Sequence, residues 1–319
     1  MFRSVFNIVV LMVMLAVFAP GVGECGQTGR WVGNTSGPFF TGTADVEPFG
    51  SFYYEPYWFE TLPRNTSTTS LYMPQKLAIG LGYNSELDLI APFEYNTAPG
   101  VGYLGYGDTQ ISLKYQFTKE RDRYRLFALP SQAILFNLML PTGKYDHLEP
   151  ERKGADQTGT GTWGEGFGYL LRKQVKPFML YVQLTETILN PARVHGGYTF
   201  NNNMTEVPFG ESLNMIDGNL LSYSAAIEHV LYPPWGFGYV LEAYGQWQSG
   251  YNPIFGHASA PSWNFLWLVP AVEIAWPQTR NFATTWGVGA AIPVAQHDYL
   301  QAVVPLATVS FYFNFGGAR

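Results

Sequence analysis

The chain has 319 residues and a net charge of −6, with 13% charged residues, 17% aromatic residues and 34 glycines. The mild acidity argues against a nucleic-acid partner, and so many rings with so little charge depart from what a soluble domain of this size usually carries. Its one cysteine excludes an internal disulfide.

At the start, Arg3 precedes an apolar run from Val5 to Phe18 that is broken only by Asn7, and Pro20, Gly21, Val22 and Gly23 follow. Residues 1–23 read as a cleaved signal peptide, because the run is shorter than the ~20 residues a spanning helix needs. Cys25 lies beside the expected cleavage site and invites a lipid anchor. Glu24, however, stands where a lipidation signal usually has a small residue, which leaves Cys25 as an inert residue of a loose N-terminus. Residues 24–49 form no clear element and are expected either as a periplasmic arm or as a plug.

From residue 50 onward the pattern is alternation. Within 108–118, Thr109, Ile111, Leu113, Tyr115 and Phe117 alternate with Asp108, Gln110, Ser112, Lys114, Gln116 and Thr118. Similar segments recur to the C-terminus, where Val303, Ala307, Val309, Phe311, Phe313 and Phe315 share one parity. The predicted strands are 50–60, 75–83, 86–95, 107–118, 124–140, 162–172, 177–187, 219–231, 236–248, 264–276, 281–293 and 302–315. Their connections alternate in length: long at 61–74, 96–106, 141–161, 188–218, 249–263 and 294–301, short at 84–85, 119–123, 173–176, 232–235 and 277–280. A Greek-key sandwich has no reason to gather every long loop at one end, whereas an outer-membrane barrel does. The longest later apolar stretch, Phe265 to Trp276, contains Pro270 and Glu273, so a helical membrane protein is not expected. The fold expected over residues 50–319 is therefore all-β: an antiparallel transmembrane barrel of about twelve strands, with its N-terminus on the periplasmic side.

Parity also assigns the lumen. The inward set holds Asp88, Glu94, Asp108, Gln110, Lys114, Arg172, Glu228, Glu242, Gln246 and Glu273. These groups either pair across the interior and plug it, or line water and favour cations and neutral solutes; a barrel this small favours pairing. Phe265, Trp267, Val269 and Ala271 share the parity of Glu273, which suggests an apolar patch inside the barrel near its external end. The opposite parity is equally apolar there, so both faces of that strand could simply be covered.

Two segments stand out as motifs: Gly105-Tyr106-Gly107-Asp108 leading into Gln110-Ile111-Ser112-Leu113-Lys114-Tyr115, and Leu140-Pro141-Thr142-Gly143-Lys144-Tyr145-Asp146. Their residues suit turns, with glycine freeing the backbone and Asp108 accepting amide hydrogens; ligand contact is the other reading. In order and spacing these segments resemble the putative meta-pathway phenol-degradation family of bacterial outer-membrane proteins. The resemblance continues more weakly through Thr41-Gly42-Thr43-Ala44-Asp45, Glu47-Pro48 and Gly161-Thr162-Trp163. It implies a transporter-like barrel that passes small, often apolar or aromatic, solutes. One departure is the ending, where Phe315 is followed by Gly316, Gly317, Ala318 and Arg319 instead of closing the chain.

Catalytic chemistry is sparse. His257 and Ser259 are neighbours in the 249–263 loop, without the Asn-His-x-Ser-x-Gly arrangement of outer-membrane phospholipase. His147, His195, His229 and His297 are scattered with no i, i+2 or i, i+4 pair, so neither a metal nor another cofactor is expected. The function that fits is an outer-membrane channel or uptake porin for small hydrophobic or aromatic solutes, not an enzyme. The alternatives are a surface barrel acting through its long loops and a lipid-modifying enzyme. The expected partners are outer-membrane lipid and lipopolysaccharide, the barrel-assembly machinery and a small apolar solute.

Overall fold

The computed structural model describes residues 38–63, 69–120, 129–175, 177–197, 199–200, 205–206, 211–215, 219–249, 262–278, 282–297, 299 and 301–315. The expected signal peptide, residues 24–37 with Cys25, the pair His257 and Ser259, and the four residues after Phe315 lie outside them. Among the described residues no helix is long and apolar enough to cross a membrane.

The strands in chain order are β1 (Ser51–Pro63), β2 (Ser70–Gly82), β3 (Ser85–Ala98), β4 (Val101–Tyr106), β5 (Thr109–Thr118), β6 (Ser131–Leu140), β7 (Gly164–Val175) and β8 (Phe178–Leu189). They continue as β9 (Ala192–His195), β10 (Thr199–Phe200), β11 (Thr205–Glu206), β12 (Ser212–Met215), β13 (Leu220–Tyr232), β14 (Phe237–Gln248), β15 (Trp263–Gln278), β16 (Phe282–His297) and β17 (Ala302–Asn314). Neighbours pair antiparallel in chain order, and β17 returns to β1 from Ser51↔Asn314 to Pro63↔Ala302. β4 and β5 pair with successive halves of β3 and act as one interrupted strand, which makes a closed barrel of twelve. The small pairs β9 with β12 and β10 with β11 belong to the connection between β8 and β13.

Period-2 alternation decides what each face meets. On β5, Leu113, Tyr115 and Phe117 are 49%, 45% and 48% exposed, while Ser112, Lys114 and Gln116 between them are buried. Closure removes every sheet edge, so backbone polar groups are satisfied strand to strand, and the outward apolar face matches hydrocarbon. On β7 the inward positions Gly164, Gly166 and Gly168 leave room for Thr187 and Thr185 of β8; a Cβ at Gly166 would lie 2.9 Å from Thr187 Oγ1.

Four expectations are corrected. Residues 96–106 are not a loop: Pro99-Gly100 closes a tight hairpin between β3 and β4, with Gly100 at φ 82°. Glycines suggested irregular backbone there, yet Gly102 lies under the Tyr95 ring, where a Cβ would come 2.6 Å from Tyr95 Oη. The strand expected at 124–140 begins only at Ser131, with 129–130 outside it and 121–128 outside the described residues. Of the loop expected at 294–301, residues 294–297 belong to β16, which runs to His297. Finally, the β2–β3 turn is Tyr83-Asn84, not Asn84-Ser85, and both residues adopt positive φ, 49° and 58°. Prolines also enter strand interiors: Pro74 faces Pro92 across β2 and β3, so that step lacks two amide donors, and Gly107 N donates to Pro92 O at 2.9 Å.

Candidate functional site

The candidate site is the lumen, and its floor is residues 38–50. This segment rises from Gly50 at the short-turn end, and its upper part is packed inside, with Pro38, Phe39, Thr41, Thr43 and Ala44 buried. Inward side chains from around the wall hold it. Both carboxylate oxygens of Glu242 accept from Phe40 N, at 3.2 and 3.1 Å, and the Thr41 hydroxyl donates to Glu242 Oε1. Gln183 Oε1 accepts from Gly42 N at 2.6 Å. Asp45 pairs with Arg172 at 2.5 Å and accepts from Gln116 Nε2 at 3.0 Å. Glu86 accepts from Glu47 N at 2.6 Å and pairs with Lys114 at 2.5 Å. Enclosure raises the Glu47 carboxyl from 4.5 to about 7, and the neighbouring Glu86 carboxylate pushes in the same direction.

Above this floor, toward the long-loop end, lies a cavity of about 520 Å³. Its two sides differ in chemistry. On one side Phe40 stacks on Tyr244 (4.5 Å between ring centroids) and Phe59 (5.3 Å), and meets Trp267 edge-on at 5.9 Å. Rings continue toward the mouth through Phe265, 4.3 Å from Trp267 and 4.4 Å from Tyr299. Trp263, Phe265 and Trp267 are alternate residues of β15, so they stand one above another on its inner face. The other side is polar: Ser112, Asn137, Thr185, Thr187, Ser222 and Gln246 are neutral, and the charged Lys76, Asp88 and Lys114 also line the cavity. Ser112 donates to Asn137 Oδ1 at 3.0 Å, and Gln246 Nε2 donates to Ser222 Oγ at 3.2 Å.

The predicted inward residues separate into groups. Asp88, Gln110, Lys114 and Gln246 line the cavity. Lys114, Arg172 and Glu242 hold the floor, directly or through Glu86. Glu228 is buried near the short-turn end and accepts from Tyr181 Oη at 2.7 Å. Glu273 is inside the barrel beside Gly287, whose Cβ position is 3.5 Å from Glu273 Cγ and 2.8 Å from Phe39 Cζ, beneath the cavity. The apolar patch predicted on β15 does face inward, since Val269 and Ala271 are buried.

Asp108 instead serves the motif residues. Its carboxylate accepts from Gly143 N (3.0 Å), Thr160 N (2.7 Å) and Thr160 Oγ1 (2.7 Å). Thr142 Oγ1 donates to Gly107 O at 2.8 Å and accepts from Thr109 N at 2.9 Å, just after Pro141 ends β6. Gly143 lies against Gly159, with only 2.7 Å from its Cβ position to Gly159 Cα; a Cβ at Gly105 would lie 3.1 Å from Thr158. The two motifs thus close loop 141–163 onto the β4–β5 junction. That loop also joins two histidines that are far apart in sequence: the His147 and His195 rings stack at 5.8 Å, with Asp146 bonded to His195. Among the described residues no group of three or more His, Cys, Asp or Glu is arranged to hold a metal ion.

Sequence reasoning missed Tyr244, although it shares the inward parity of Glu242 and Gln246. It also missed Phe40, which lies in no periodic element and so gives no such signal.

No protein-family model and no curated protein sequence matches the chain. Among solved structures, the barrel is similar to an outer membrane channel from Pseudomonas putida F1, with a TM-score of 0.63 and 10% identity over 85% of this chain and 97% of that one. Looser likenesses are the translocator domain of autotransporter NalP from Neisseria meningitidis (TM-score 0.46, 10% identity, 85% and 91% covered) and the Ralstonia pickettii toluene transporter TbuX (0.38, 11%, 85% and 90%). At 10% identity the likeness to the Pseudomonas putida channel is one of fold: a closed, twelve-stranded antiparallel barrel of the outer-membrane type.

Proposed function

We propose that the protein is an outer-membrane channel that takes up small hydrophobic or aromatic solutes, and that residues 38–50 are its plug. The observation that carries this reading is the cavity of about 520 Å³, faced with stacked rings on one side and floored by a segment of the chain itself. A packed structural barrel has no need of such a chamber, whereas ring-bearing solutes gain from stacking and burial inside one. The long-loop end faces outward in this reading, so solute meets the rings first and the charged anchors afterwards. The resemblance of the Asp108 and Gly143 motifs to the phenol-degradation family supports the same solute class. No catalytic role is assigned to the lumen charges Glu242, Arg172, Lys114 and Glu86, which hold the plug or pair with one another.

Conductance in planar bilayers and solute flux into liposomes test this together. Wild type is expected to give small steps and to admit benzyl alcohol. Glu242→Ala, which releases Phe40 and Thr41, is expected to enlarge the steps. A folded barrel that passes no solute, and whose conductance is the same with and without Glu242, would overturn the reading.

A further inference from the structure

The proposed uptake function leaves open what the polar side of the cavity does, and the register of the sheet supplies an answer. Phe265 pairs with Gln246, Gln246 with Ser222, Ser222 with Thr185, and Thr185 with Gly168. These five positions form one row across β15, β14, β13, β8 and β7, with neighbours about 4.8 Å apart. Along this row the lining changes within one strand spacing from a stacked ring to an amide, then to two hydroxyls, and ends on a residue without a side chain. Gln246 commits its amide nitrogen to Ser222, and its amide oxygen takes no part in that bond. No charged residue occupies the row.

We propose that this row is a specificity filter, and that the favoured solute is a neutral ring compound carrying a hydrogen-bonding group at its edge, not the bare hydrocarbon. The ring stacks against Phe265 and Trp267, and its substituent reaches Gln246 and the hydroxyls beyond. A purely apolar solute filling the same space strips water from Gln246, Ser222 and Thr185 without replacing it, which costs binding free energy. Gln246 and Thr185 are then specificity determinants, and Phe265 supplies affinity common to both solute types. The inference rests on the uptake reading of the same cavity.

The test uses the purified full chain in lipid nanodiscs, titrated calorimetrically with benzyl alcohol and with toluene, each affinity corrected for partition into protein-free nanodiscs. Wild type is expected to prefer benzyl alcohol. Gln246→Leu is expected to weaken benzyl alcohol about tenfold, the scale of one neutral hydrogen bond, and to leave toluene unchanged or tighter. Thr185→Val, nearly identical in shape, provides a second variant should Gln246→Leu fail to fold, with folding checked by heat-modifiable gel migration. Phe265→Leu is expected to weaken both probes. Equal affinity of wild type for the two probes, or equal losses of both in the Gln246 and Thr185 variants, overturns the filter and leaves the uptake channel standing. Binding of neither probe overturns both.

Discussion

Two segments outside the barrel strands fold back onto the wall, and they are held by different means. Residues 38–50 cross the lumen and are held by ionisable side chains from distant strands: Glu242 on β14, Arg172 on β7, and Lys114 with Glu86 on β5 and β3. Loop 141–163 stays at the mouth and is held by short-range bonds from Asp108, Thr142 and Thr158. The ion-paired lumen anchors are charges removed from bulk water, so losing a partner is costly; the loop is held by one carboxylate, Asp108, together with neutral hydrogen bonds from Thr142 and Thr158. The lumen segment should therefore be strongly held through several buried charges, and the loop moderately held through one carboxylate and its neutral neighbours.

The largest effect is expected at Lys114. Lys114→Met leaves Glu86 enclosed without its 2.5 Å partner, and unpaired buried charges cost about 3–5 kcal/mol. The midpoint of heat-modifiable unfolding should fall accordingly, and conductance should rise as Glu47 loses its fixed acceptor. Adding Glu86→Gln should recover much of the loss; a double variant no more stable than Lys114→Met would mean that the pair is not what Lys114 stabilises.

Next comes the loop. Asp108→Ala removes the acceptor of three bonds, and Gly143→Ala forces a Cβ to within 2.6 Å of Thr158 O. Each should loosen residues 141–163 by about 1–3 kcal/mol, read as faster limited proteolysis there, while the barrel midpoint stays near wild type. A matching fall in the barrel midpoint would erase the distinction between the two segments.

How much of this was legible follows from the same distinction. Strand faces depend on period 2, so the inward placing of Lys114, Arg172 and Glu242 could be read directly, whereas on β15, apolar on both parities, the pattern left the inner face open. Gly143 and Asp108 could be read as turn chemistry, because a turn is built from residues close to one another in space and its composition shows. The partners of the lumen charges could not be read: Glu242 binds the backbone amide of Phe40, 202 residues away, and an amide donor has no sequence signature. The β4 hairpin was hidden for a related reason, since Gly102 is supported by the Tyr95 ring on the neighbouring strand and not by its own side chain.

A pH titration sharpens the contrast further. Glu47 lies in the lumen segment with its carboxyl raised from 4.5 to about 7, so the seated segment holds a proton that a released segment loses. Seating is then strongest below pH 4.5, weakens as pH rises through the window from 4.5 to 7, and is level above it. Conductance should increase across that window, and Glu47→Gln should flatten the increase. Loop proteolysis, which does not involve Glu47, should be unchanged by Glu47→Gln.

The smallest effect belongs to the exposed side of the loop. Arg152 meets Glu149 at 3.3 Å, three residues away, with both side chains in water, where Coulomb attraction is screened and ordering two long side chains offsets what remains. Its guanidinium also donates to Gly102 O at 3.3 Å, a long bond at the rim of the β3–β4 hairpin. Arg152→Ala should therefore leave both the barrel midpoint and the loop proteolysis rate within error of wild type. A clear acceleration of cleavage would show that the rim bond to Gly102, and not only the Asp108 network, closes the loop, and would place part of its anchorage on β4 itself.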